Sequence, residues 1–387
     1  MNEQLGLDLI YLISCALHGK VPSSERIAAM DLDALYRMAQ FHSITALAAF
    51  SIEKVQVVAP SESTRWKQAK EKAIRKNILL DAEREQILSF MENNGIWYVP
   101  LKGIILKELY PKYGMRQMAD NDILYDSTYS RELRRFMEGR GYKTMMFGRS
   151  NHDEYEKPPV YNFEMHTSLF SPAHDNKLVK YYSDVKNKLL PDDTNNYGYH
   201  FTDEDFYIYI TAHSYKHFKG EGTGLRTLVD CYLYWQKKGD LLDTGYIDAE
   251  LDKLGIADYE RMCRSLSNKL FSFEQKFDSD FLTGQEEEEL NYFLFSGAYG
   301  TQSNNVKNRL QEIRSSPQGT RFTKLKYCAG RIFPSLDLIE SVYPFFYRHK
   351  LLIPALWIFR LFKALSVSRN KIKNEISALN AECNERN

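Results

Sequence analysis

Two stretches decide the fold: Tyr98-Val99-Pro100-Leu101-Lys102-Gly103 and, further on, Asp120-Asn121-Asp122-Ile123-Leu124-Tyr125. Residues 96–101 are a short apolar and aromatic run of the kind that forms a buried strand. Gly103 then opens a short helix, which Pro111 and Gly114 break. Residues 122–125 read as a second strand, and residues 131–138 as a helix turning Leu133, Phe136 and Met137 inward. Gly139 and Gly141 close that helix, and residues 142–147 form a third strand. Residues 153–159 are polar and rich in proline, which predicts a loop or hairpin connection. Residues 161–169 alternate as a fourth strand. This order of strands and helices predicts a small mixed sheet with helices packed on it.

Helices flank the core on both sides, so the expected class is α+β. Leu5, Leu9, Leu12, Ile13 and Leu17 fall on one helical face, and a long helix from about Ser63 carries Trp66, Ala73, Leu80, Ile87 and Met91. Asn93-Asn94-Gly95 ends it, with Gly95 suited to the left-handed position past a helix end. Beyond Asp203 the pattern is helical again. Ser315-Ser316-Pro317-Gln318-Gly319 reads as a linker. The expected organisation is an N-terminal helical region (1–94), an α/β core (95–200), a helical domain (201–314) and a basic C-terminal helical region (315–387).

Composition narrows the class. With 51 basic and 51 acidic residues the chain is neutral overall, so bulk attraction to nucleic acid is not expected and any basic site must be local. One such site exists: residues 321–374 hold eleven basic residues against two acidic ones, with Tyr343, Phe345, Phe346, Tyr347 and Trp357 interleaved. That segment reads either as an ordinary helical pair or as a contact for phosphate backbone or anionic lipid. Five widely spaced cysteines show no metal-type spacing and are expected to be reduced thiols. The N-terminus lacks the basic segment of a signal peptide, and no apolar run is long enough to span a bilayer. A soluble, cytoplasmic protein is the expectation.

The chemistry concentrates in the core. Residues two apart on a strand project to one face, so Asp120 and Asp122 point together. Two carboxylates that close repel unless a cation lies between them, and Mg²⁺ prefers such oxygen ligands. On the last strand Asn162, Glu164 and His166 share a face, which offers a third carboxylate beside the first two. Upstream, Gly103 at a helix start allows backbone to approach a phosphate, and Lys102 and Arg116 add positive charge. His213 and His217, one helical turn apart, are expected to be packed or hydrogen-bonded histidines. Ser214 stands where a zinc protease would need its glutamate. Arg226 and Asp230 are spaced for a pair on one helix.

Taken in order, Val99-Pro100-Leu101-Lys102-Gly103, Tyr110-Pro111, Arg116 and Asp120-Asn121-Asp122-Ile123-Leu124 resemble the core of the uncharacterised bacterial nucleotidyltransferase family of the polymerase-beta superfold. Ala39, His42 and Ile44, Glu164-Met165-His166, His213, His217 and Asp230, and residues 351–360 extend the resemblance over most of the chain. The resemblance implies a mixed sheet in which Asp120 and Asp122 hold Mg²⁺ (or Mn²⁺) and Glu164 completes the site. It implies attack of an acceptor hydroxyl on the α-phosphate of a nucleoside triphosphate, releasing pyrophosphate. Lys102, Gly103 and Arg116 would bind the nucleotide, and His166 would orient Glu164 or the acceptor, which is RNA, protein or a small molecule. Two positions depart from the superfold's pattern: Ile104 follows Gly103, and Asn121 separates the aspartates. The rival reading is a catalytically degenerate nucleotide- or RNA-binding protein, or a toxin–antitoxin-type interaction protein.

Overall fold

The structure is a computed structural model. It describes residues 3–171, 176–272, 281–315, 323–334, 336, 339–340, 343–367 and 369–384. Five helices open the chain: α1 (Glu3–Leu17), α2 (Ser24–Ala29), α3 (Leu32–Phe41), α4 (Thr45–Ile52) and the long α5 (Pro60–Asn93). Pro60 occupies the first turn of α5, where its missing N–H costs nothing. Gly95 beyond its end takes φ +68°, a left-handed conformation that glycine adopts without strain.

The sheet comprises β1 (Tyr98–Pro100), β2 (Asn121–Tyr125), β3 (Lys143–Met146), β4 (His152–Lys157) and β5 (Tyr161–His166), in the spatial order β1-β2-β5-β4-β3. β2 runs parallel to β5, and the other pairs are antiparallel, so the sheet is mixed. The short α6 (Gly103–Leu106) follows β1, and α7 (Ser130–Gly139) follows β2. The expected loop at 153–159 is instead mostly strand β4. It pairs with β5 along its whole length, and only Tyr155 sinks into the apolar core, so its sequence reads as polar.

The sheet has two dissimilar faces. On one, Ile123, Tyr125, Phe163 and Met165 pack against Leu80, Ile87 and Met91 of α5 and Leu133 and Met137 of α7. Burying each such side chain contributes about 1.5–3 kcal/mol, enough to hold the register of β2 and β5. Asn121 also faces α5: it accepts a hydrogen bond from Arg84 at 3.0 Å and donates to the Leu80 carbonyl at 3.4 Å. The residue separating the two aspartates is therefore anchored on the side away from them.

The opposite face is covered by helices that follow the sheet: α8 (Asn176–Tyr181), α9 (Asp203–Lys219), α10 (Leu225–Lys238), α11 (Thr244–Leu254) and α12 (Ala257–Phe271). Between α8 and α9 lies a hairpin of β6 (Leu189–Pro191) and β7 (Tyr199–Phe201). Val99, Leu101 and Leu124 share a core with Phe206, Tyr209 and Ala212 of α9 and with Leu251 of α11. A third core joins α1, α3 and α4 to α10, α12 and α13 (Gly284–Ser296), so the first helices of the chain pack directly on its later ones. α13 begins with a capping box between Thr283 and Glu286, in keeping with acids at a helix start. The linker expected at 315–319 lies, apart from Ser315, outside the described residues. Beyond α14 (Gln302–Ser315), the described residues form helices at Thr323–Ile332, Pro344–Arg348, Ile353–Val367 and Arg369–Asn384.

Candidate active site

Parallel pairing of β2 with β5 sets Asp122 directly opposite Glu164, and Asp120 lies one step before β2 on the same parity. The three carboxylates line one cavity of about 480 Å³. His166 Nε2 lies 2.9 Å from Asp122 Oδ1 and 3.5 Å from Glu164 Oε2. The Asn151 amide points its N–H₂ group at His166 Nδ1, 3.4 Å away. In the tautomer with Nδ1 as acceptor, Nε2 carries the proton and donates to Asp122; ligating a metal through Nε2 would require that proton to leave. His166 therefore steadies Asp122 directly.

Lys102 sits at the junction of β1 and α6 with φ +48°, a strained conformation for a residue with a side chain. Its Nζ donates to Asp122 Oδ1 at 2.6 Å and lies 4.0 Å from Glu164. Burial alone would raise the Asp122 pKa, but the Lys102 ammonium and the His166 hydrogen bond outweigh it and hold this carboxyl well below the usual range. Asp120 behaves oppositely. Burial first, then the neighbouring Asp122 and Glu164 carboxylates, push it up to about 6. A carboxyl raised in this way is one that a bound cation would stabilise in its charged form. Asp120, Asp122 and Glu164 thus present oxygen donors to one cavity, where the Lys102 ammonium neutralises Asp122.

A second donor set shares Glu164. His152, Glu164 and His166 each present one ligand atom, all within 4.8 Å of one another. Burial lowers the His152 pKa and keeps its imidazole neutral, the form that binds metal. Sequence reasoning missed His152 because it precedes a segment taken for a loop. The strand pairing that sets His152 opposite His166 is not visible from either segment alone.

Gly103 and Arg116 have different surroundings from those expected. A Cβ on Gly103 would lie 2.5 Å from Arg116 Nη1, so this glycine makes room for the guanidinium. The N–H groups of Ile104, Ile105 and Leu106 already bond to the carbonyls of Leu101 and Lys102. Arg116 forms a two-pronged ion pair with Asp230, Nε to Oδ1 and Nη2 to Oδ2, both at 2.9 Å. Tyr110 adds a hydrogen bond to the same carboxylate at 2.8 Å. The expected Arg226–Asp230 pair is therefore not formed. Asp230 is buried and faces the sheet, where Arg116 offers a planar fork that a neighbour on its own helix does not match.

The cavity's other wall is helical. His213, Lys216 and His217 of α9 and Arg226 of α10 all line it. His213 and His217 are hydrogen-bonded to each other, Nε2 to Nε2 at 3.4 Å, as expected, and both line the cleft. Burial, then Lys102 and Lys216, hold the His213 pKa well below its ordinary value. Burial and the Lys102 charge bring Lys216 down to about 8. Among the described residues no carboxylate lies within ion-pair distance of Lys216 or Arg226. Lys216 was not singled out from the sequence, and Arg226 was read there only as a helix partner of Asp230. The available signal was a polar set spaced three and four apart on a helix whose other face is apolar.

Acids on the sheet and, on the facing helices, two cations without carboxylate partners thus line one cleft. No curated protein and no solved structure matches the chain. One family model does, across residues 28–272, from α2 to the end of α12, and it takes in nearly every residue that lines the cleft. By that match the chain belongs to the uncharacterised nucleotidyltransferase family.

Proposed function

We propose that this nucleotidyltransferase moves a nucleoside monophosphate from a nucleoside triphosphate to an acceptor hydroxyl and depends on a divalent metal. The acceptor oxygen forms a bond to the α-phosphorus, the bond from that phosphorus to the bridging oxygen breaks, and pyrophosphate leaves. Asp120, Asp122 and Glu164 would hold Mg²⁺ or Mn²⁺, which when bound neutralises charge on the phosphate and the leaving oxygen. Glu164 is more exposed than Asp122, its side chain 23% against 6%, and takes the acceptor's proton. His166 and Lys102 keep Asp122 ionised and in place. Lys216 and Arg226, which lack carboxylate partners, neutralise the triphosphate across the cleft. Lys102 and the Gly103 backbone contribute at its edge, while Arg116 acts by fixing the strand-side loop to α10.

The observation that carries this reading is the Asp122–Glu164 register, with Asp120 on the same face and unpaired cations opposite. The test is transfer of label from each α-labelled nucleoside triphosphate to RNA, protein or small molecules in a lysate, with Mg²⁺ or Mn²⁺. Glu164→Gln and Asp122→Asn run beside the wild type. Transfer by wild type alone supports the proposal and identifies the acceptor. Absence of both transfer and metal-dependent nucleotide binding would favour the interaction-protein reading.

The His152–Glu164–His166 set supports a narrower reading of the metal. Two imidazoles beside a carboxylate favour Mn²⁺ or Zn²⁺ over Mg²⁺. Calorimetric titration of each ion, with His152→Ala as comparison, decides it. Mg²⁺ binding as tightly as Mn²⁺ in both proteins would remove His152 from the site.

A further inference from the structure

Near the end of the chain, the helix Ile353–Val367 is oriented with its apolar side outward. Leu356 is fully buried, Trp357 packs edge-on against Phe333 with ring centroids 4.7 Å apart, and Arg360 donates to the Arg331 carbonyl at 3.1 Å. These three mark the side that faces the rest of the protein. At 3.6 residues per turn, Ala355, Ile358, Phe359 and Phe362 fall on the opposite side, and all four are exposed. Leu351 and Leu352, just before the helix, extend the stripe; Leu351 is 96% exposed and Phe362 70%. Arg348 and Lys350 are exposed at its N-terminal end.

A row of large apolar residues at helical spacing with basic neighbours has a limited set of partners. Single-stranded RNA could stack on Phe359 and Phe362, but it would leave the aliphatic Leu351, Leu352 and Ile358 of the same stripe in water. A second copy of the chain would bring two strongly basic segments together, because residues 321–374 carry an excess of nine positive charges. An anionic bilayer surface matches both features: the interface takes up the apolar stripe and the headgroups pair with the basic residues. The whole chain is neutral, so the remainder carries a matching negative excess and is repelled from such a surface. That repulsion orients the molecule. Among the described residues no helix is long and apolar enough to cross a membrane, so the segment would lie on the surface.

We propose that the segment from Arg348 to Phe362 is an interfacial anchor for anionic lipid, independent of the transfer reaction. It attaches through α14, whose Val306 and Leu310 share a small core with Tyr327 and Leu379. The Asn308 side chain of α14 in turn donates to the carbonyls of Phe218 and Gly220 at the end of α9. The anchor is thus tied to the helix that forms one wall of the cleft.

The test is flotation of the full-length protein with phosphatidylglycerol–phosphatidylcholine vesicles and with phosphatidylcholine vesicles alone. The proposal expects binding to the anionic vesicles, at least tenfold weaker on neutral ones and weakened by high salt. Phe359→Asp with Phe362→Asp should lower it at least tenfold without changing the melting temperature, because both rings are exposed. Leu241→Asp, at an even more exposed apolar site elsewhere, should leave it unchanged. No vesicle binding, equal binding to neutral vesicles, RNA binding lost in the double variant without vesicle binding, or a dimer abolished by that variant would each overturn the proposal.

Discussion

The two walls of the cleft are built by different rules. On the strand wall, Asp122, Glu164 and His166 are positioned by a two-residue period and a paired register, and each is held by a named partner. On the helix wall, His213, Lys216 and Arg226 project from the polar sides of α9 and α10, and the two cations lack a carboxylate partner. On the strand wall Asp122 and Glu164 have partners within the protein while Asp120 does not, and on the helix wall Lys216 and Arg226 have no carboxylate partner among the described residues. A substitution on the first should therefore affect chemistry and stability together. One on the second should affect substrate affinity alone.

The largest effect expected is on the strand wall. Asp122→Asn removes a ligand of the proposed metal and leaves the Lys102 ammonium buried without its partner, so transfer should fall about 10³-fold or more and stability should fall as well. Glu164→Gln, in a more exposed position, should reduce transfer similarly with a smaller change in melting temperature. If both variants keep wild-type rates, the carboxylate site has no catalytic role.

Next comes a contrast between two arginines that line the same cavity. Arg116→Ala leaves Asp230 buried and unpaired and should cost about 3–5 kcal/mol, measured by urea denaturation. Arg226→Ala should change stability by less than about 0.5 kcal/mol and act on nucleotide affinity instead. Equal losses of stability would erase the distinction between the walls. On the helix wall itself, Lys216→Gln should raise KM for the nucleoside triphosphate about tenfold, the loss of one charge-assisted hydrogen bond, with kcat little changed.

A last effect, confined to acid pH, concerns how the helix wall is held. His42 is fully buried and accepts a hydrogen bond from the Leu225 N–H at 3.3 Å, at the start of α10. Burial holds its pKa down to about 4, below the ordinary value of 6.5. Between those values the unfolded chain binds a proton that the folded protein does not. Stability from this group is therefore fully present above pH 6.5 and is lost as pH falls toward 4, by an amount on the order of 3 kcal/mol. His42→Gln should flatten that part of the stability curve. A variant with the same acid sensitivity as wild type would show that other groups cause it.

The same contrast explains how much was legible in the sequence. The strand wall could be read because period-two parity needs only local information. Asp120 and Asp122 must share a face, and the apolar neighbours Ile123, Phe163 and Met165 state which side is buried. The long helix α5 was equally plain from its stripe and from Gly95. β4 was not legible, because a strand with one buried ring and otherwise polar residues resembles a loop until its partner is known. Arg116–Asp230 was missed for a related reason. The local spacing of Arg226 to Asp230 was available in the sequence, whereas a pair 114 positions apart is decided by tertiary packing. Gly103 was read as letting backbone approach a phosphate, whereas the close neighbour of its Cα is the Arg116 side chain.

The most direct test of the central claim is calorimetric titration of a nucleoside triphosphate into the protein, with and without Mn²⁺. Wild type and Glu164→Gln are compared with Lys216→Gln. The two-wall account predicts binding that requires the metal, that is lost in Glu164→Gln and that weakens about tenfold in Lys216→Gln. Affinity that is the same with and without metal, and unchanged in Glu164→Gln, would contradict it.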